Sequence, residues 1–139
     1  MSKQYAVIGL GRFGSAVALG LAEAGHEVIA VDIEEERVQQ VSDAVTYAAV
    51  ADVTKSGVCE SLGFANIDVA VIGISSNMED SILATIMTKE AGAKYIVAKA
   101  VSDIHATILQ KAGADQIVFP ERDSGIHLAK SISSGYFTK

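Results

Sequence analysis

Six short, mostly apolar runs punctuate this chain, and between them lie longer stretches whose apolar positions recur at helical spacing. The runs sit near residues 5–9 (YAVIG), 27–32 (EVIAVD), 45–50 (VTYAAV), 68–73 (DVAVIG), 95–98 (YIVA) and 116–119 (QIVF). Near-continuous apolar character suits strands covered on both faces, so a parallel sheet is predicted. The stretches between predict helices near 12–24, 34–42, 54–62, 77–91, 102–112 and 121–133. Within 77–91, Ile82, Leu83, Ile86 and Met87 form a stripe expected to face the sheet, and Ile104, Ile108 and Leu109 do the same in 102–112. Gly25, Gly63, Gly92 and Gly113 each follow a helical run, where a left-handed residue closes the last turn. Thr54, Asn77 and either Ser102 or Asp103 are the expected N-caps. The repeated joins AGHEVI, AGAKYI and AGADQI are one helix-to-strand connection reused.

Strict alternation of strand and helix means right-handed βαβ crossovers, hence a Rossmann-like, doubly wound α/β fold with a six-stranded parallel sheet in the order 3-2-1-4-5-6 and helices on both faces. Ligands of such sheets bind at the carboxyl ends of the strands, where the order reverses between the first and fourth.

The 139 residues suit one domain, and 50% apolar with 20% charged residues and a single proline excludes a disordered chain. No apolar run approaches the length of a membrane span and no leader pattern opens the chain, so a soluble, unexported protein is expected, with no membrane insertion. A net charge of -6 without a basic stripe argues against nucleic acid or anionic lipid as partners. One cysteine, Cys59, rules out an internal disulfide framework and is expected to be a packing residue. His26, His105 and His127 follow no ligand spacing and are expected to be surface or packing residues.

The segment VIGLGRFG carries the chemistry. Gly9 permits a tight turn out of the first strand, Gly11 lets backbone approach a pyrophosphate, and Gly14 lets the next helix pack close. That helix start offers free N–H groups and a partial positive charge to an anion. Asp32, at the end of the second strand, is placed to accept hydrogen bonds from ribose hydroxyls, and with Glu34, Glu35 and Glu36 disfavours a 2′-phosphate. Arg12 opposes the helix dipole, which costs about 0.3–1 kcal/mol at an exposed site, so a neighbouring anion such as a terminal phosphate is expected to offset it. Other strand ends supply Ala51 and Asp52 beside the adenosine, Gly73, Ile74, Ser75 and Ser76 across the reversal, and Lys99 within reach of a phosphate; Phe13, Ile33 and Arg37 complete the candidate set. Hydride transfer needs an acid or base beside the nicotinamide and a substrate pocket, which the fold leaves no residues to build. Nor is there a nucleophile elbow or a Walker lysine, so nucleotide binding without catalysis is expected.

The segments YAVIGLGRFGSAVALGLAEAGHEVIAVDIEEERV, AAVADVTK, VAVIGISSNMEDSI, YIVAKA and GADQIVFPERDSG resemble the N-terminal domain of the regulator-of-potassium-conductance (RCK) family, in particular the KtrA/TrkA-type subunits of bacterial potassium uptake systems. GLGRFG and FPERD are the specific parts. The resemblance implies a cytoplasmic gating subunit at the inner face of the plasma membrane. It binds ATP, ADP or NAD(H), forms an octameric ring of dimers, and docks on a membrane-embedded potassium transporter. Position by position, the resemblance gives Gly9, Gly11 and Gly14 the phosphates, Asp32 the ribose, and Arg12 the terminal phosphates, of its own or a neighbour's nucleotide. It places Glu121 at the dimer contact, with Mg²⁺ or Ca²⁺ as a ligand. Full subunits of the family continue into a C-terminal lobe, so residues 1–139 are expected to be a fragment, with Tyr136 and Phe137 apolar residues stranded where that lobe would follow. The rival readings are an NAD-binding fragment of a dehydrogenase and a free-standing redox or energy sensor.

Overall fold

The computed structural model describes residues 3–135, so the expectation for Tyr136 and Phe137 lies outside the described residues. The chain alternates β1 (Gln4–Ile8), α1 (Arg12–Glu23), β2 (Glu27–Asp32), α2 (Glu35–Val41), β3 (Tyr47–Val50), α3 (Val58–Ser61), β4 (Val69–Ile72), α4 (Met78–Glu90), β5 (Ile96–Lys99), α5 (Asp103–Ala112), β6 (Gln116–Val118) and α6 (Pro120–Ser133). All strand pairs are parallel and the order is β3-β2-β1-β4-β5-β6, as expected.

Each inner strand feeds two cores, because successive side chains point to opposite faces. Along β1, Ala6 and Ile8 enter one core while Val7 enters the other, and β4 divides Ala70 and Ile72 from Val71 in the same way. The first core holds Phe64, Ile67, Ile96 and Leu109; the second holds Leu10, Ala18, Val28 and Val38 and lies under α1 and α2. β1 pairs with both β2 and β4, so its carboxyl end, which leads into the glycine loop, lies at the reversal.

Helix α4 departs from its expected orientation. Its buried residues are Ser81, Ala84, Thr85 and Thr88, an i, i+3, i+4, i+7 set of small side chains. Leu83 is 40% exposed, while Ile82 and Met87 only flank the core. Small side chains let the helix approach the sheet, and the hydroxyl cost is met locally: Ser81 donates to the Met78 carbonyl and Thr85 to the Ser81 carbonyl. In α5, Leu109 is buried as expected but Ile104 is exposed, its place taken by His105.

The helix expected over 54–62 shrinks to α3, preceded by a turn. Thr54 is not its cap: the Thr54 N–H and hydroxyl both donate to Asp52 Oδ1, at 3.0 and 2.5 Å, and the helix waits for Gly57 at φ +83°. A 3₁₀ turn at Phe64–Asn66 follows, burying Phe64. Elsewhere the caps are as read. Asn77 accepts the Asp80 N–H at 3.1 Å, and Ser102, rather than Asp103, accepts the His105 N–H at 3.2 Å.

His105 joins α4 to α5. Its Nδ1 accepts the Val101 N–H at 3.1 Å, which assigns the proton to Nε2, and Nε2 then donates to Ser81 Oγ at 2.7 Å. Burial pushes its pKa below the ordinary value. The unfolded chain therefore binds the proton more readily, so this contribution is complete above pH about 6.5 and is lost as pH falls toward the folded value. The melting advantage of the wild type over His105→Gln is expected to shrink between pH 7 and pH 5. A constant gap across that range would contradict the assignment.

Candidate functional site

An open cleft lies at the reversal, over the carboxyl ends of the inner strands. Its floor is the glycine loop. Gly9 has φ +92°, and a Cβ there would meet Ile74 N at 2.7 Å, so only glycine lets β1 and β4 converge here. A Cβ on Gly14 would lie 1.7 Å from the Gly9 carbonyl oxygen, which is how closely α1 is seated on the loop. Gly11 differs: a Cβ there would meet only the Arg37 guanidinium, at 3.8 Å, and would otherwise stand in the cleft. The three glycines thus divide their work, two packing backbone on backbone and one leaving room above it.

Gly11 is also the N-cap of α1. It supplies no side-chain cap, and the first turn holds no acidic residue. The leading N–H groups of α1 are left to donate to an anion from outside the chain. Helices α4 and α5, by contrast, carry capping side chains.

Asp32 forms the adjacent wall and is 7% exposed. Its Oδ2 accepts the Leu10 N–H at 2.7 Å and its Oδ1 accepts the Glu34 N–H at 2.8 Å. The carboxylate thereby ties the glycine loop to the β2–α2 turn. Each oxygen keeps a lone pair for a further donor. Arg37 lies 3.9 Å from Asp32 Oδ2 and 3.9 Å from a Glu34 oxygen, over Gly11.

On the β3 side, Ala51, Asp52, Val53 and Thr54 close the cleft. The Thr54 hydroxyl, ahead of its N–H and of Lys55, holds the Asp52 carboxyl below the usual range. Both Thr54 bonds fall on Oδ1, so Oδ2 remains for a ligand donor. Across the reversal, Gly73, Ile74, Ser75 and Ser76 form the opposite rim, joined by Asp80 from the first turn of α4. Ile33 is 64% exposed at the mouth, an apolar surface suited to the face of a base.

The structure thus brings together Gly9, Gly11, Asp32, Ile33, Arg37, Ala51, Asp52, Gly73, Ile74 and Ser75 around one cleft. It sets the remaining candidates apart from the lining. Arg12 is exposed at the start of α1, and Gly14 is buried beneath the loop. Lys99 lies 5.9 Å from the ring of Phe13, which packs against the second core. Glu121 is exposed in the first turn of α6, outside the cleft, and among the described residues no three potential metal ligands cluster. Val53 and Asp80 escaped sequence reasoning: one looks like any core valine, the other like any acid in a helix start.

This donor set fits a nucleotide: uncapped N–H groups beneath an open position at Gly11, a fixed carboxylate with spare lone pairs, and an apolar mouth flanked by a second carboxylate. Among the described residues no helix is long and apolar enough to cross a membrane.

Comparison with known proteins agrees with this fold. The TrkA-N domain family matches residues 5–120. The chain is 42% identical over 134 residues to Ktr system potassium uptake protein C of Bacillus subtilis (strain 168), covering 96% of this chain and 61% of that protein. Among solved structures, it superposes with a TM-score of 0.83 on the NAD(P)-binding domain of an exopolyphosphatase-related protein from Archaeoglobus fulgidus, at 23% identity, covering 95% of this chain and 98% of that one. It also superposes on the GsuK channel bound to ADP, with a TM-score of 0.71 at 17% identity, covering 85% of this chain and 31% of that one. At those identities the two structures speak for the fold alone. The chain spans about three-fifths of the curated relative's length. With the family matching most of its residues, the chain belongs to the TrkA-N domain family, the N-terminal domain of regulators of potassium conductance.

Proposed function

We propose that this domain is the nucleotide-sensing part of a regulatory subunit of a potassium uptake system, binding ATP, ADP or NAD(H) and reporting which is bound without transforming it. The observation that carries the reading is the glycine loop: an N-cap with no side chain, an uncapped helix start and an open position at Gly11, walled by Asp32. The diphosphate shared by these ligands would lie over Gly11 on the α1 N–H groups. The ribose hydroxyls would donate to Asp32, and the adenine would sit between Ile33 and the Ala51–Thr54 wall with its amine toward Asp52 Oδ2. Arg12, exposed beside the helix start, would meet terminal phosphates, of this chain's nucleotide or a neighbour's. The 42% identity to a Ktr potassium uptake protein supports the transporter context.

A sensor acts by binding two shapes of an assembly with different free energies. Two exposed apolar faces suit self-association. Helix α6 has no buried residue, and Ile126, Leu128 and Ile132 stand exposed along it. Helices α4 and α5 and the turn before α5 expose Leu83, Ile104 and Val101. One isologous contact closes a dimer, and a ring needs a second, different face. The octameric ring of dimers, seated on a membrane-embedded transporter at the cytoplasmic surface, is the assembly we assign. Glu121 is exposed and joins no cluster of potential metal ligands among the described residues; Mg²⁺ or Ca²⁺ there would draw ligands from a second copy.

A thermal-shift panel of ATP, ADP, NAD and NADH, paired with light scattering for mass, tests this. Ligand at 100 times its dissociation constant adds about 2.7 kcal/mol, enough to raise the melting temperature by several degrees. Shifts with adenine nucleotides and a dimeric or larger mass are expected. A monomer that responds to NAD(H) alone would favour the dehydrogenase-fragment reading.

A further inference from the structure

We propose that Arg122 is a positioning residue: held between the Phe119 ring and the Asp103 carboxylate, it fixes the direction in which α6 leaves the domain. The proposal rests on the reading of α6 as the helix that meets a second copy, since its direction then sets the geometry of that pair. Helix α6 has no buried residue, so burial along its length does not hold it against the body. Its attachment is concentrated at the root. Phe119 packs one face against the first core, and its N–H donates to Asp123 Oδ2 at 3.0 Å, closing the first turn. Pro120 starts the helix with its backbone angle already set.

Arg122 then spans two elements. Its guanidinium carbon lies 3.6 Å from the centroid of the Phe119 ring, a stacked cation–π contact. Its Nη1 donates to Asp103 Oδ1 at 3.2 Å. An arginine in the first turn opposes α6's own dipole, so this position gains nothing from the helix and is explained by these two contacts. Asp103 is the first residue of α5, whose start is tied by the Ser102 cap and by the His105–Ser81 bond to α4. Asp80, next to Ser81, lies on the rim of the cleft. The root of α6 is therefore connected, contact by contact, to the element that borders the candidate nucleotide site. The geometry amplifies small changes: a helix of 14 residues is about 21 Å long, so a swing of about 10° at the root moves its far end by about 4 Å.

Spin labels at Gln110→Cys and Lys130→Cys, with labelled protein diluted into unlabelled, report the direction of α6 within one chain by pulsed dipolar spectroscopy. Both positions are exposed, and Cys59, buried with its thiol pKa raised by desolvation, stays unlabelled. The expected result is one narrow distance distribution in the otherwise native chain. Arg122→Ala and Asp103→Ala are each expected to widen it at least twofold, and Arg122→Lys to recover it in part. The affinity for ADP is expected to stay within twofold in all three, because neither residue lines the cleft. A native distribution in both Arg122→Ala and Asp103→Ala, or a broad one in the parent, overturns the proposal. Should scattering find only monomers, the reading of α6 as a mating helix fails, while the within-chain distance still decides the role of Arg122.

Discussion

Gly14→Ala is expected to lower the melting temperature by about 10 °C, whereas Gly11→Ala is expected to melt with the wild type and no longer to respond to nucleotide. Both substitutions add one methyl group to the same loop, so the difference is geometric. At Gly14 the new Cβ would lie 1.7 Å from the Gly9 carbonyl oxygen, a backbone atom that also sits 3.1 Å from the Cβ position of Gly73. Relief requires α1 to lift from the sheet and Val7, Leu10 and Ala18 to lose contact in the second core. Overpacking of this kind costs about 3 kcal/mol or more, which gives the stated shift for a domain of this size. At Gly11 the backbone is extended, and the methyl group meets nothing nearer than the Arg37 guanidinium at 3.8 Å. It then occupies the space over the helix N-terminus that a diphosphate needs. Differential scanning calorimetry with and without ADP reads both effects. Equal melting of the two variants would mean that the loop is looser than its geometry.

Asp32→Ala is expected to weaken adenine-nucleotide binding about 10–100-fold and to cost about 1–3 kcal/mol of stability in the absence of ligand. Two separate losses combine. The ligand loses a charged acceptor for its ribose, and hydrogen bonds to charged groups are the stronger ones. The protein loses the bridge between Leu10 and Glu34, and the Leu10 N–H, on a residue 2% exposed, is left without its partner. Asp32→Asn separates the two losses. Its one carbonyl oxygen can serve only one of the two N–H groups, so part of the stability and most of the affinity are lost. Titration calorimetry beside thermal unfolding distinguishes the variants, and unchanged affinity in both would remove Asp32 from the ribose position.

The sheet order and the position of the cleft were legible in the sequence because they follow from repetition. Six apolar runs alternating with helices admit few topologies, and the first βα turn marks itself with glycines. The roles of Gly9 and Gly14 were equally legible, since each meets a backbone demand that only glycine satisfies. Periodicity misled in α4, where Ser81, Ala84, Thr85 and Thr88 face the sheet in place of the larger residues. Hydrophobicity alone could not reveal that the Ser81 and Thr85 hydroxyls bond within their own helix, nor that a tight approach favours small side chains. The segment around Thr54 misled for a related reason. Thr54 has the chemistry of a helix cap, but the Asp52 carboxylate two residues earlier takes both its donors and builds a turn. Lys99 shows the limit of arguing from strand ends: it lies at a carboxyl terminus of the sheet, yet it sits by Phe13 and away from the cleft lining.

The central claim is that nucleotide phosphates rest on bare main chain at Gly11 and that the domain registers them without turnover. Titration calorimetry of ADP into the wild type and Gly11→Ala, with chromatography of the recovered nucleotide, tests it most directly. The account predicts one equivalent bound by the wild type, no measurable binding by Gly11→Ala at the same concentrations, and nucleotide recovered intact. Equal binding by the two proteins, or conversion of the nucleotide, would contradict it.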